Sequence, residues 1–233
     1  MKKLHFVSLL MITSVSSYAQ YYYDRSKVKA KSVQDETKDF TKYISLGWDF
    51  NTPLSNTQFV NSTSSAGVRL SYRKRLNDVD NLWAGFEFGA ASYSQYYSYQ
   101  TYFSSSSATS SDFYNYVNTY SLAFSIDYFF LPLEKKIAPY IGLSIGAAST
   151  NFIQYYNVNK VSDNVWGVQL RPELGILASF KTNASWKIKA TIHYDYASNA
   201  SSLEKNNFLL LRGSEYKNFM SAGFQVGVVK MIR

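Results

Sequence analysis

Trp186-Lys-Ile-Lys-Ala-Thr-Ile-His-Tyr-Asp-Tyr196 decides the fold. Trp186, Ile188, Ala190, Ile192, Tyr194 and Tyr196 share one parity, and Lys187, Lys189, Thr191, His193 and Asp195 share the other. A β-strand sends successive side chains to opposite faces, so this stretch has one apolar wall and one charged wall. A soluble β-barrel turns the aromatic wall inward, whereas a membrane barrel turns it outward to lipid and keeps the polar wall in the lumen. Parity alone leaves that choice open.

The same texture recurs from Tyr43 almost to the C-terminus. Segments of period two run over 43–50, 66–76, 82–93, 116–130, 139–150, 164–180, 186–196 and 217–230. In the second, Val68, Leu70, Tyr72 and Leu76 oppose Arg69, Ser71, Arg73 and Arg75; in the fourth, Tyr120, Leu122, Phe124, Ile126 and Tyr128 oppose Thr119, Ser121, Ala123, Ser125 and Asp127. The long connections 51–65, 94–115, 151–163 and 197–216 alternate with the shorter 77–81, 131–138 and 181–185. An even number of strands with alternating connection lengths is the layout of an outer-membrane barrel, with short periplasmic turns and long loops outside. The expected fold is therefore an all-β, eight-stranded antiparallel up-and-down transmembrane β-barrel over residues 43–233. A soluble secreted β-protein is the rival.

Aromatic positions support the membrane reading. Tyr43, Trp83, Tyr128, Phe130, Tyr140, Phe180 and Trp186 fall near the strand ends joined by short turns. Trp48, Phe50, Tyr93, Tyr116, Trp166, Tyr194 and Tyr196 fall near the other ends. Two belts are what interfacial anchoring predicts. Lys74 breaks the apolar face but lies close enough to a strand end to snorkel. Pro172 gives the sixth strand no ladder donor, so a bulge or a later strand start is expected there.

The N-terminus reads as an export signal over residues 1–20. Lys2 and Lys3 precede an apolar run from Phe6 to Val15, and Ser17-Tyr18-Ala19 supplies the small-residue end, with Gln20 first after cleavage. The run is too short to cross a bilayer as a helix, which takes about 20 residues. Residues 21–42, rich in Lys, Asp and Arg, read as a periplasmic tail or a small plug. The chain has no cysteine, which excludes disulfides and a lipidated N-terminal cysteine. Without the signal, 22 basic residues face 16 acidic ones, a net charge of +6. They are dispersed through alternating strands, so no nucleic-acid partner is expected. Outer-membrane lipid is the expected surrounding, and the chain reads as a monomer.

By parity, Asp49, Glu87, Asp127, Glu173 and Asp195 point inward with Arg69, Arg73, Arg75, Arg171, Lys187, Lys189 and His193. The interior of an eight-stranded barrel is just filled by side chains, so this set reads as a salt-bridged plug, with a narrow ion path as the alternative. His193 and Asp195 suggest a base and its orienter, but no motif supplies a nucleophile. One histidine in the mature chain leaves a transition-metal site without ligands, and no glycine loop cradles phosphate, so no cofactor is expected.

Between positions 93 and 116 lie seven of the 21 tyrosines, interleaved with serine. Tyrosine supplies rigid amphipathic contact area, so Tyr96, Tyr97, Tyr99, Tyr102 and Tyr114 are candidate contacts for an extracellular or envelope protein partner. The period of two persists there, which also predicts that strands three and four protrude as a hairpin with an open edge.

The signal end Tyr18-Ala19-Gln20, Ala138-Pro-Tyr-Ile-Gly-Leu-Ser-Ile-Gly146 and Arg171-Pro-Glu-Leu-Gly-Ile-Leu-Ala-Ser-Phe180 resemble the small outer-membrane β-barrel proteins common in Bacteroidota, and more loosely the barrels of the OmpX, OmpW and OmpA type. The resemblance says little about activity; the charge-filled lumen and the long Tyr/Ser-rich loops make a non-enzymatic barrel presenting loops for adhesion or partner binding the leading expectation, with a narrow porin-like channel for small solutes as the alternative. An enzyme comes third. The outer-membrane lipid A deacylases are barrels of similar size with a His-x-Ser pair, where this chain has His193-Tyr194-Asp195.

Overall fold

A computed structural model describes residues 40–76, 81–103, 108–198 and 218–233. The expected signal, nearly all of the expected tail (21–39), the serine run 104–107 and most of the loop 197–216 lie outside the described residues. Eight strands are present: β1 (Lys42–Pro53), β2 (Ser64–Arg75), β3 (Leu82–Phe103), β4 (Ala108–Phe129), β5 (Ile137–Tyr156), β6 (Asn159–Ala178), β7 (Trp186–Ser198) and β8 (Asn218–Ile232). Each pairs antiparallel with its sequence neighbour, and β1 pairs with β8 from Lys42↔Ile232 to Pro53↔Ser221, closing the ring.

The alternation read from sequence becomes the two faces of the wall. Ile44, Leu46, Val68, Leu70, Phe86, Phe88, Leu122, Phe124, Ile141, Leu143, Leu174, Ile188, Ile192, Phe224 and Val226 are exposed on the outside, while charged residues of the opposite parity are buried inside. Water would make such an apolar exterior very unfavourable, whereas hydrocarbon is its natural solvent. Tyr120 to Tyr128 and Ile137 to Ile145 each span nine residues of apolar outer face, the height that about 9–11 tilted residues per strand provide.

Four strands overrun that height. β3 and β4 have 22 residues and β5 and β6 have 20, against 12 to 15 for the rest. The long connections 94–115 and 151–163 are thus largely strand, and β5 turns into β6 at Asn157-Val158, with Asn157 at φ 50°. Asparagine tolerates the left-handed conformation such a tight hairpin needs. The alternation of long and short connections therefore does not survive: β3 and β4 protrude as the persistent period of two predicts, and β5 and β6 extend in the same way through a segment read as loop.

Two other expectations are corrected. Pro172 neither bulges nor delays β6: the β5–β6 register is unbroken through Leu143↔Pro172. Its cost falls on the other side, where the β6–β7 ladder passes from Leu170↔Tyr196 to Glu173↔His193 without a pairing at Arg171 or Pro172. The second correction concerns the belts. Tyr43, Trp83, Tyr140 and Tyr93 are buried inside the barrel. Tyr128, Phe130, Phe180 and Trp186 at one end, and Trp48 and Trp166 at the other, are exposed on the outer wall. Tyr43 shares parity with Asp49, and Trp83 and Tyr93 with Glu87, so position along a strand misled where parity would not have.

Candidate functional site

The inside of the barrel has three layers. At the end where β1 begins and β8 ends, Phe40, Tyr43, Trp83, Phe129, Leu133, Tyr140, Leu177, Val229 and Met231 pack together. At the other end Phe59, Val60, Tyr93, Val117, Ala148, Phe152, Ala197 and Phe219 form a second cluster, with Phe59 and Val60 delivered by the β1–β2 connection folded into the mouth. Between them lies charge.

Arg69 binds Asp49 (Nε–Oδ2 2.9 Å) and Glu87 (Nη1–Oε1 2.8 Å); Arg73 binds Glu87 (3.0 Å) and Asp127 (3.0 Å). Arg171 binds Asp195 at 2.8 Å and approaches Asp49 and Glu173 at 3.5 Å. Lys189 holds Glu173 at 3.1 Å. The network ties β1, β2, β3, β4, β6 and β7 together through side chains.

Tyrosines join the layers. The Tyr43 hydroxyl donates to Asp127, and Tyr140 donates to Glu173 Oε1 at 3.0 Å, each ring lying in the apolar cluster. Glycine makes the room: a Cβ on Gly142 would lie 2.7 Å from Asp127 Oδ1, and one on Gly89 would lie 2.7 Å from Arg69 Nη1. Sequence reading missed these glycines, although their inward parity opposite long side chains was the available signal.

Of the twelve residues expected in the lumen, Asp49, Arg69, Arg73, Glu87, Asp127, Arg171, Glu173, Lys189 and Asp195 share ion pairs, and His193 joins them through Asp195 at 3.5 Å. Lys187 stands apart, donating to the Lys135 carbonyl and Ser179 at the rim. Arg75, also at that rim, is half-buried. A cavity of about 30 Å³ lies above the network, walled by Asn51, Arg69, Tyr93, Gln169, Asp195 and Phe219 among others, room for no more than a few waters. His193 Nε2 is engaged by Asn51 Oδ1 at 2.6 Å, and the Ser221 hydroxyl accepts from Tyr93 at 3.2 Å. The histidine is not aimed at a hydroxyl nucleophile.

The second region is the overrun of β3–β6. On its outer face Ser92, Asn118, Asn151 and Asn164 stand in one register row, joined by Ser92–Asn118 and Ser149–Asn164 hydrogen bonds of 2.7 Å. Trp166 and Tyr120 lie just below it, as at a membrane interface. Above it a further row crosses all four strands: Tyr96↔Tyr114, Tyr114↔Tyr155, Tyr155↔Lys160. The Tyr96 and Tyr114 ring centroids are 4.8 Å apart, and Lys160 Nζ lies 5.7 Å from the Tyr155 ring centre.

Of the expected contact residues, Tyr96 and Tyr114 are thus brought together. Tyr99, 72% exposed, sits at a bulge between Tyr97 and Gln100. Tyr97 turns inward and donates to the Gln58 carbonyl at 2.7 Å, and the side chain of Tyr102 lies outside the described residues. Tyr155 and Lys160 were missed because their segment was read as loop. Among the described residues, β3 beyond Ser92 has no strand on its β2 side, and β6 before Gln169 has none on its β7 side.

The closed ladder, apolar outer wall and ion-paired interior define an eight-stranded transmembrane β-barrel. Among solved structures the chain is similar to Neisserial surface protein A (18% identity, 82% of this chain and 97% of that one, TM-score 0.48). It is similar also to Ail, the attachment invasion locus protein of Yersinia pestis (12%, 83% and 99%, 0.48), and to the outer membrane protein OprG of Pseudomonas aeruginosa (15%, 84% and 97%, 0.41). No family model and no curated protein matches the chain.

Proposed function

We propose that this protein is a non-enzymatic outer-membrane barrel whose β3–β6 overrun is a docking platform for another protein outside the cell. Residues 1–20 direct export, the termini face the periplasm, and the overrun faces outward, as both chain ends falling at one end of an up-and-down barrel favours. The motifs around Pro139 and Pro172 support the Bacteroidota type of small barrel. The observation that carries the reading is the overrun itself: tyrosines at one height on three adjacent strands, flanked by two sheet edges without a strand partner among the described residues, above an interior packed with ion-paired and apolar side chains.

The absence of cysteine gives a clean test. On intact cells Lys160→Cys should react with a membrane-impermeant maleimide and Lys135→Cys, in the β4–β5 turn, should not. Cells displaying the protein should adhere to protein-coated surfaces, and Tyr96→Ser/Tyr114→Ser/Tyr155→Ser should remove that adhesion while the unboiled protein keeps its folded gel mobility. Reversed labelling, or adhesion untouched by the triple change, would overturn the proposal.

A further inference from the structure

We propose that Lys42, Lys74 and Lys230 form a binding site for the phosphate of an anionic phospholipid on the outer wall, at the end of the barrel where β1 begins and β8 ends. All three have outward parity, the same as exposed Ile44, Tyr72 and Val228, on the adjacent strands β1, β2 and β8. Lys42 and Lys74 are direct cross-strand partners, and Lys42 pairs with Ile232, two residues from Lys230. Directly opposed positions in a ladder lie about 5 Å apart at Cβ and diagonal ones about 7–8 Å, so the three side chains leave the wall within one patch, which their flexible stems allow the ammonium groups to share.

Like charges opposed in this way disfavour the sheet. No carboxylate among the described residues forms an ion pair with any of the three. Lys230 instead lies over the exposed Trp186 ring, 4.7 Å from its centre. The nearby cations point elsewhere: Arg233 sits over the Phe40 ring at 5.3 Å, and Arg75 has inward parity. An anion between Lys42, Lys74 and Lys230 relieves the repulsion, and its chemistry follows from the surface beneath. Ile44, Leu46, Val226 and Val228 continue the patch toward the middle of the wall as an apolar track. A diester phosphate with acyl chains matches both parts; a free anion matches only the first.

This rests on the chain spanning a bilayer, and the experiment separates the two. Full-length protein is placed in mixed micelles with equal amounts of phosphatidylglycerol and phosphatidylethanolamine, and native mass spectrometry reads which lipid is retained. Phosphatidylglycerol should be enriched on the unaltered protein. Enrichment should fall by about fivefold per lysine removed toward parity in Lys42→Gln/Lys74→Gln/Lys230→Gln. It should persist in the matching triple arginine variant and in Lys135→Gln/Lys136→Gln/Lys181→Gln, which removes the same charge from the turns at that end. Enrichment surviving in the first variant, or lost equally in the turn variant, overturns the site. So does thermal stabilisation by millimolar inorganic phosphate equal to that by phosphatidylglycerol, which would mark an adventitious ion only. Each variant is run on gels boiled and unboiled: no mobility difference breaks the membrane reading, whereas a folded protein without lipid preference breaks this proposal alone.

Discussion

The barrel wall and the sheet that rises from it are made of the same strands, yet they present different outer faces. Within β4, Leu122, Phe124 and Ile126 face outward and Ser121, Ser125 and Asp127 inward; further along, Phe113 and Val117 are buried on the inner side and Tyr114 is exposed outside. Beyond the row Ser92, Asn118, Asn151 and Asn164 the period of two continues, but the aliphatic outer face gives way to Tyr96, Tyr114, Tyr155 and Lys160, and the inner side sets Phe113, Val117 and Phe152 beside buried Asn115 and Gln154. What a strand turns outward is therefore set by the solvent around it, lipid below the row and water above, while the backbone is indifferent.

Four substitutions probe that contrast, in order of expected effect on unfolding measured by urea titration in vesicles. Arg171→Ala should cost about 3–5 kcal/mol, because it leaves Asp195, Asp49 and Glu173 buried beside a missing cation. A loss below about 1 kcal/mol would mean that the network is hydrated and worth little. Leu122→Lys, on the lipid face, should cost about 2–4 kcal/mol. Gly142→Ala should cost about 1–3 kcal/mol, since its methyl group has to displace the Asp127 and Glu173 carboxyls. Tyr114→Lys, on the same strand face as Leu122, should stay within about 0.5 kcal/mol. Equal costs at positions 114 and 122 would remove the boundary between the regions.

Much of the wall was legible because its alternation has one cause, the pleat, acting on every strand. The inward set from Asp49 to Asp195 could be listed from parity alone, but which arginine grips which carboxylate depends on strand stagger, which no local pattern carries. The overrun was half legible. Its alternation was visible from Tyr93 to Tyr116, yet Tyr155 and Lys160 enter the row only through the tight turn at Asn157, and polar composition made that segment resemble loop. The inward tyrosines were missed because a ring near a strand end serves equally as a lipid anchor or as a plug, and parity decides between them.

The unpaired step at Pro172 gives the cylinder a seam. The β1–β8 contact runs from Lys42 to Pro53 without interruption, whereas the β6–β7 contact is broken beside Arg171. Opening events begin where backbone bonds are fewest, so the amides flanking this step are expected to exchange with deuterium ahead of those in the unbroken β1–β8 contact. A proline in the wall thus marks the place where the cylinder is expected to open first.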